Sequence, residues 1–291
     1  MASGILNVNK PAGPSSFAVV RAVRALPGVT RVGHGGTLDP AADGVLPVLV
    51  NAATRLADFV HQWPKTYLAT VTLGATSDTD DREGRITPSG DASGVTLEHI
   101  ETVLPFFVGQ IEQVPPLYSA LKQGGEPLYK KARRGESVER SARRVEVEGI
   151  RILGYDASTF VLRLEVRSGR GVYIRSLAHD LGVALGCGGY LSALTRLAVG
   201  PLSIEGAIPV PALAAMGESW VQKLLPADLP IRHWPAMTLD HDAVAAVQHG
   251  QPVAAPSTAS GHYRLLDETG QLVAWGEGDG RTIRPRAVFG A

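Results

Sequence analysis

The chain has 291 residues, of which 44% are hydrophobic and 19% charged, a composition that excludes an intrinsically disordered protein. Because a typical domain has about 100–200 residues, this length predicts two domains. The 28 basic and 28 acidic residues give a formal net charge of zero, so the overall charge does not indicate a nucleic-acid partner.

The sequence also indicates the cellular compartment in which the protein is expected. No apolar run approaches the roughly 20 residues that a membrane span needs, and no secretory signal precedes the first strand. The single cysteine, Cys187, excludes an internal disulfide and is typical of a reducing compartment. We therefore expect a cytoplasmic protein without membrane contact, and nothing in the sequence requires more than a monomer.

Hydrophobic spacing and capping residues predict the first elements. Residues 4–9 form a predicted strand that stops at Lys10-Pro11, because proline cannot continue a ladder. Ser15 or Ser16 can then cap a helix that runs through residue 26. The apolar residues that recur at helical spacing along this helix are Phe17, Val20, Val23 and Leu26.

The middle of the chain mixes strand and helix patterns. Residues 65–74 alternate as a half-buried strand, and residues 160–166 repeat that pattern. Residues 97–107 and 174–185 are predicted helices, and Gly186 is placed to end the second. Because these patterns do not follow a regular βαβ rhythm, they favour an α+β fold over a doubly wound sheet.

The last third of the chain predicts a second unit. Six prolines between residues 201 and 235 indicate a connecting region. A short helix ending at Gly250, a hairpin turning at 267–270 and a strand near 282–289 then form a small, mostly β unit. A unit of about 55 residues is small for an independent core, so we expect it to dock on the larger domain.

Positive charge is concentrated in one window. Residues 121–144 contain eight lysines and arginines against three glutamates. A solvated basic face is the more common explanation of such a cluster, so by itself the window only permits RNA binding. Its basic residues are Lys122, Lys130, Lys131, Arg133, Arg134, Arg140, Arg143 and Arg144.

Several catalytic motifs are absent from the sequence. It contains no GxxxxGK[ST] phosphate loop, no HExxH, no CxxC pair and no GxSxG elbow. With one cysteine and scattered histidines, a zinc site is not indicated. We therefore expect chemistry carried out by ordinary side chains, without a metal or a cofactor.

The most informative segment is 33–46, in which glycines surround Asp39. Glycines permit tight backbone geometry and close approach of a bulky ligand, and Pro40 biases the backbone of Asp39 away from helical dihedrals. An Asp-Pro pair in a glycine-rich loop is more often a turn than a catalytic site. The residues alone therefore leave the function of Asp39 open.

Segment 33–46 resembles the catalytic motif of the TruB type of pseudouridine synthases, GH-x-G-[TA]-LDP-x-A-x-GVL, at every defining position. The resemblance continues in the family's order through residues 10–16, 65–67, 113–122, 128–135 and 167–177. The departures concern positions expected to contact RNA phosphates more than the reacting atoms. They are Ser15 for threonine, Thr76-Ser77 in the acidic run, Arg170 for lysine and Thr195 for arginine.

This resemblance implies the architecture. The expected fold is α+β, with a mixed, largely antiparallel sheet, flanking helices and a small, mostly β PUA-like domain at the C-terminus. The catalytic domain is expected at residues 1–230 with a thumb-like RNA-binding insertion at about 115–145, and the PUA-like domain at 236–291.

The resemblance also implies an activity, the isomerisation of uridine 55 in the T-loop of tRNA. The N-glycosidic bond is cleaved, the flipped-out base rotates, and a C5–C1′ bond forms. The implied catalytic residues are Asp39 as the carboxylate, Tyr67 and Arg175. The implied substrate-binding residues are His34, Tyr173, Leu194, Lys10 and Pro11, and the candidates for RNA-backbone contacts are Lys122, Lys130, Arg133, Arg143 and Arg170.

Two other functions remain open at this stage. A tRNA-binding or tRNA-folding protein without catalysis needs the basic window and the C-terminal unit, but not the combination of Asp39, Tyr67 and Arg175. A hydrolase that uses two carboxylates needs a second acid near Asp39. The candidates for that second acid are Asp78, Asp80 and Asp81.

Overall fold

The computed structural model describes residues 1–119, 121–134, 136, 138–255 and 260–289, with the backbone alone for Lys122, Pro127, Tyr129, Lys130 and Arg133. The strands of the first 235 residues are β1 (Gly4–Lys10), β2 (Val32–His34), β3 (Asp43–Val50), β4 (Lys65–Leu73), β5 (Ala75–Ser77), β6 (Ile86–Pro88), β7 (Gly109–Gln113), β8 (Lys122–Gln123), β9 (Glu126–Pro127), β10 (Arg143–Asp156), β11 (Val161–Ser168), β12 (Gly189–Val199), β13 (Leu202–Ser203) and β14 (Ile208–Pro209).

The same part of the chain contains α-helices and short 3-10 helices. The α-helices are α1 (Ser16–Arg24), α2 (Ala57–Gln62), α3 (Leu97–Val103), α4 (Leu128–Arg133), α5 (Ile174–Ala184) and α6 (Val210–Ala215). The 3-10 helices are Asn51–Leu56, Leu104–Phe107, Ile204–Gly206, Gly217–Lys223 and Leu229–Ile231. None of the helices in the described part of the chain has the length and hydrophobicity needed to span a bilayer.

A ten-stranded sheet organises this part of the molecule. Its order is β14-β1-β3-β12-β4-β11-β10-β7, with β2 paired to β3 and β13 paired to β12. Among the strand pairs that the structure describes in this sheet, β1–β14 and β3–β12 are parallel and the others are antiparallel. The predicted mixed, largely antiparallel sheet is therefore confirmed.

The central strand β4 shows how the sheet builds its core. Its side chains alternate between buried and half-buried, as the sequence pattern predicts, and Tyr67, Ala69 and Val71 face inward. This face packs against α5 and the helices around residue 100. Gly186 follows α5 with a φ of +76°, a conformation that ends the helix. Tyr67 is thus held on a rigid strand.

Helix α1 is oriented differently from the prediction. Ser15 caps it, as expected, by accepting a hydrogen bond from the backbone of Ala18 at 3.2 Å. The buried positions, however, are Ser16, Val19 and Val23, and Phe17 is 70% exposed. The assignment of Phe17 to the apolar face was wrong because Ser16 turns inward, where its hydroxyl bonds to the chain next to Asp39.

The C-terminal unit has its own sheet and helix. They consist of β15 (Ala236–Thr238), α7 (His241–Gln248), β16 (Val253–Ala254), β17 (Ser260–Leu266), β18 (Leu272–Asp279) and β19 (Thr282–Val288). The sheet order is β15-β17-β18-β19-β16. The unit docks on the larger one through Phe59, whose ring meets those of Trp234 and Trp275 edge to face. The expected docking is therefore present.

Candidate active site

Asp39 lies on the loop between β2 and β3, and its carboxylate forms an ion pair with Arg175. The distance from Arg175 Nε to Asp39 Oδ2 is 2.9 Å. Arg175 is in the first turn of α5, and its side chain is only 6% exposed against 38% for Asp39. A charge-assisted hydrogen bond of this length fixes the direction of the carboxylate and leaves part of it open to a ligand.

The guanidinium of Arg175 is itself held from two further segments. Its Nη1 donates to the backbone oxygen of Thr79 at 3.3 Å and lies 3.5 Å from Asp81 Oδ2. Its Nη2 donates to the backbone oxygen of Tyr118 at 3.0 Å. Because partners on three sides occupy the guanidinium, Arg175 cannot follow Asp39 if the carboxylate turns away. The pair is therefore preorganised.

Lys10 holds the Asp39 loop through buried hydrogen bonds and does not face a ligand. Its side chain is 0% exposed, and its ammonium donates to the carbonyls of Ala42, Pro11 and Pro40 at 2.6, 2.8 and 3.2 Å. Burial lowers the pKa of Lys10 to about 8. The predicted substrate contact of Lys10 does not fit this position, because no donor of the ammonium is left for a substrate.

Arg196 of β12 also holds the Asp39 loop through hydrogen bonds. Its Nε, Nη1 and Nη2 donate to the carbonyls of Val45, Thr37 and Gly36 at 2.7, 3.1 and 3.1 Å, and the residue is 1% exposed. A planar guanidinium bridges such a set of carbonyls better than a lysine can. The sequence did not predict this role, although an arginine within a run of mostly apolar residues was a detectable signal.

The segment before α1 also contacts the loop. The hydroxyl of Ser16 donates to the carbonyl of Leu38 at 2.8 Å and accepts from its amide at 2.9 Å. The amide of Gly13 donates to the carbonyl of Pro40 at 2.8 Å. The backbone on both sides of Asp39 is therefore fixed, whereas the loop would otherwise be one of the mobile parts of the molecule. Pro11, predicted to bind substrate, is exposed beside this contact.

A cavity of about 390 Å³ opens next to the Asp39–Arg175 pair. The predicted residues Tyr67, Tyr173 and Leu194 all line it, from β4, from the residue before α5 and from β12. Flat side chains beside an oriented carboxylate suit a planar base attached to a sugar. The structure thus brings together the predicted catalytic residues and two of the predicted substrate-binding residues.

Cationic side chains also line this cavity. Arg170 is exposed at the rim, and Lys65 and Arg196 lie deeper. The ammonium of Lys65 donates to the carbonyls of His61 and Trp63, and burial, with repulsion from Arg196 and Arg170, lowers the pKa of Lys65 to about 8. These charges favour an anionic ligand such as RNA near the cavity.

His34 lies on the side of the Asp39 loop opposite to the 390 Å³ cavity. It lines a second, larger cavity together with Asp39, rather than the first. Burial and the neighbouring His61 lower the pKa of His34, and its Nδ1 accepts a hydrogen bond from the amide of Gly36 at 3.3 Å. An imidazole that accepts in this way is neutral, so His34 is suited to packing against bases more than to proton transfer.

The remaining basic candidates lie at the surface or outside the described residues. Arg143 is exposed at the start of β10. The side chains of Lys122, Lys130 and Arg133 lie outside the described part of the chain. Within the residues described, no group of three or more histidine, cysteine, aspartate or glutamate side chains is placed to hold a metal ion.

The acidic run 78–81 does not supply a second acid to the first cavity. Asp78 is exposed and accepts from the amide of Arg85, Asp80 lies 3.4 Å from His179, and Asp81 is bound to Arg175. Burial raises the pKa of Asp80. None of the three carboxylates lines the 390 Å³ cavity, and Asp81, which lines the second cavity together with Asp39, already faces Arg175 at 3.5 Å. This geometry does not fit a hydrolase that acts with a pair of carboxylates.

Known families match almost the entire chain. Residues 24–174 match the TruB family pseudouridylate synthase N-terminal domain, residues 175–231 the tRNA pseudouridylate synthase B C-terminal domain, and residues 235–289 the C-terminal domain of pseudouridine synthase II TruB. The first two matches together cover most of the part of the chain that forms the ten-stranded sheet, and the third covers the five-stranded sheet.

Curated relatives cover nearly the same length. The tRNA pseudouridine synthase B of Aromatoleum aromaticum is 40% identical over 98% of this chain and 92% of its own. That of Pseudomonas aeruginosa is 40% identical over 99% and 96%. That of Dehalococcoides mccartyi is 42% identical over 85% and 83%.

Solved structures share the fold. A chain of a Cbf5-Nop10-Gar1 complex superposes with a TM-score of 0.72 at 28% identity, covering 99% of this chain and 85% of that one. A chain of an H/ACA RNP bound to a substrate RNA containing 2'-deoxyuridine superposes with a TM-score of 0.73 at 26% identity and the same coverage. Sequence identity of about 40% over nearly the full length, with three matching domains, establishes that this chain belongs to the TruB family of pseudouridylate synthases.

Proposed function

We propose that the protein converts uridine 55 in the T-loop of tRNA to pseudouridine, with Asp39 as the catalytic carboxylate. The observation that carries this proposal is the ion pair of 2.9 Å between Asp39 and Arg175 at the end of the 390 Å³ cavity. An oriented carboxylate beside a base-sized cavity is what cleavage of a glycosidic bond requires.

The reaction is an isomerisation, in which one hydrogen leaves C5 as a proton and one proton is gained at N1. The bond between N1 and C1′ breaks while the carboxylate of Asp39 acts on the electron-poor sugar. The uracil then rotates within the cavity, C5 bonds to C1′, and the proton on C5 leaves to solvent while N1 gains one. Asp39 acts either by adding to the sugar or by removing a sugar proton, and both routes need the same ionised carboxylate.

The side chains around the cavity support the rotation of the base. Tyr67, fixed on β4, stacks on the uracil, and Tyr173 and Leu194 bound the space in which it turns. A base stacked in a folded loop must first be extruded, at a cost of a few kcal/mol. The cationic rim at Arg170 offsets this cost by binding the phosphates of the opened loop.

The other parts of the chain serve RNA binding in this proposal. Residues 1–230 form the catalytic domain, with the thumb-like insertion at about 115–145 against the RNA stem, and residues 236–291 form a PUA-like domain toward the acceptor end. Lys122, Lys130, Arg133 and Arg143 contact the phosphate backbone. We propose that the enzyme acts as a monomer in the cytoplasm on tRNA.

The test is a tritium-release assay on an unmodified tRNA transcript with tritium at C5 of uridine. The wild type and Asp242→Asn, which alters an exposed carboxylate at the start of α7, are expected to release tritium equally from the T-loop position. Asp39→Asn is expected to bind the tRNA and release none. No release by the wild type despite tight binding would leave a tRNA-binding or tRNA-folding protein.

A further inference from the structure

Lys65 is a buried cation in the wall of the 390 Å³ cavity to which the reaction as described gives no role. It is 7% exposed, and its ammonium donates to the carbonyls of His61 and Trp63 at 2.7 and 2.5 Å. An ammonium has three N–H donors. Within the described residues the third donor has no partner, and the charges that act on Lys65 are those of the cations Arg196 and Arg170.

The position of Lys65 is fixed relative to Tyr67, the residue that stacks on the target base. The two residues are two positions apart on β4, on the same buried face of the strand. On the neighbouring strand β12, Arg196 pairs directly with Tyr67. Both Lys65 and Arg196 line the cavity and bind backbone carbonyls. The cavity therefore has two fixed positive charges, one on each side of Tyr67.

Positive charge in this cavity exceeds negative charge. Among the described residues of its wall, Asp39 is the acidic one, and it is paired with Arg175. Burial and two neighbouring arginines lower the pKa of Lys65 to about 8, so its ammonium is mostly charged at neutral pH. A buried charge without a counter-ion is unfavourable, and an anionic group in the cavity would relieve this cost.

The proposed reaction produces an anion at this place. When the bond between N1 and C1′ breaks, its electron pair stays on the base, and the detached uracil carries one negative charge spread over N1, O2 and O4. The charge disappears when C5 bonds to C1′. The proton of C5 then leaves to solvent and N1 gains one. A donor and a cation that are held in place before this charge develops stabilise it without reorganisation.

We propose that Lys65 is a catalytic residue, whose free N–H donates to a carbonyl oxygen of the detached uracil and whose charge stabilises the uracil anion. This inference rests on the proposed function, because the anion forms only if the glycosidic bond is cleaved. The half-turn that brings C5 to the place of N1 also exchanges the places of O2 and O4. One fixed donor therefore binds the base in both orientations, through O2 in one and O4 in the other.

The experiment measures single-turnover tritium release from tRNA with tritium at C5 of the target uridine. Lys65→Gln keeps N–H donors for the two carbonyls but removes the charge, and Lys65→Met removes both. Each is expected to be slower than the wild type by about 100- to 1000-fold, the range for loss of one preorganised donor, with an unchanged Kd for the tRNA. Lys65→Arg keeps the charge and is expected to be faster than either. Lys223→Met alters an exposed lysine that lines neither cavity and is expected to match the wild type.

A second substrate separates stabilisation of the anion from support of the fold. Fluorine at C5 withdraws electrons and stabilises the uracil anion within the substrate itself. With RNA that carries 5-fluorouridine at the target, Lys65→Gln is therefore expected to slow glycosidic cleavage less than it does with uridine. Cleavage is followed by chromatography of nuclease digests, as the loss of N-linked 5-fluorouridine. A partly unfolded variant lowers both rates by the same factor, so it does not produce the expected difference.

The proposal is overturned if Lys65→Gln and Lys65→Met release tritium at the wild-type rate. It is also overturned if the variants slow the reactions of the uridine and 5-fluorouridine RNAs by the same factor, because Lys65 then acts only through the structure. Failure of the proposed function gives a different result, in which the wild type releases no tritium.

Discussion

Lys10, Lys65 and Arg196 are buried cations whose hydrogen-bond partners are backbone carbonyls. Carbonyl oxygens satisfy the donors of a buried cation without cancelling its charge. Lys10 and Arg196 hold the Asp39 loop, and Lys65 and Arg196 line the cavity next to it. The same side chains thus fix the geometry of the loop and keep the local potential positive for an RNA substrate.

At the residue scale, Lys65 predicts a specific dependence of stability on pH. The pKa of Lys65 is about 8 in the folded protein and 10.5 ordinarily, so between these pH values the unfolded chain binds one more proton. The free energy of unfolding therefore rises with pH in this window. The contribution of Lys65 to this rise is at most about 3 kcal/mol, and the cost of burying its charge is fully present below pH 8.

Urea unfolding of the wild type and of Lys65→Met, at several pH values from 7 to 10.5, measures this contribution. The difference in free energy of unfolding between wild type and variant is expected to shift in favour of the wild type as the pH rises. Lys223→Met, which alters an exposed lysine, is expected to show no such shift. Identical pH profiles for the wild type and Lys65→Met would contradict the prediction.

At the element scale, the parallel contact between β3 and β12 depends on a glycine. Gly44 has a φ of +107°, and a Cβ atom there would lie 2.2 Å from the backbone oxygen of Arg196. Any side chain at this position must both adopt a strained backbone and separate the two strands. The close approach lies next to the carbonyl of Val45, which accepts from Arg196, so it also positions the Asp39 loop.

Gly44→Ala is expected to lower the free energy of unfolding by about 3–5 kcal/mol, the combined cost of backbone strain and overpacking. The matched variant is Gly28→Ala, where φ is +74° but no atom lies within 4 Å of the added methyl group. It is expected to lose only about 1–2 kcal/mol, from backbone strain alone. Urea denaturation of both variants measures the difference, and equal losses would show that strand separation contributes nothing.

At the scale of the whole molecule, an aromatic cluster and an ion pair join the two units. The ring centroids of Phe59 and Trp234 are 5.1 Å apart, and those of Phe59 and Trp275 are 5.6 Å apart. Arg264 of β17 donates to Asp228, before the second sheet, at 2.8 Å. A unit of this size gains stability by burying apolar surface against its neighbour, so the interface contributes to the folding of the C-terminal sheet.

Trp234→Ala is expected to remove about 2–4 kcal/mol from the free energy of unfolding, since Trp234 is half-buried between the units. Calorimetry is expected to show one transition for the wild type and an earlier, separate transition of the C-terminal unit for the variant. Phe106→Ala serves as the comparison because its aromatic ring lies outside the interface. A single, unshifted transition for Trp234→Ala would mean that the two units fold independently of this contact.

Local patterns in the sequence determined much of the fold. The alternation along β4 correctly predicted the buried face that includes Tyr67, and the spacing of apolar residues correctly predicted α5 with Gly186 at its end. The ordered motifs correctly identified the family, and with it the mixed sheet and the separate β unit. Periodicity and contiguous motifs are properties of neighbouring residues, so a single sequence contains them.

Only the tertiary structure decided how these elements support the site. The contact of Arg196 with the carbonyl of Val45 spans 151 residues, and that of Lys10 with the carbonyl of Ala42 spans 32. The orientation of α1, and with it the exposure of Phe17, depends on the hydrogen bonds between Ser16 and Leu38. Hydrophobic spacing contains no information about such bonds, because they form between segments that meet only after the sheet has assembled.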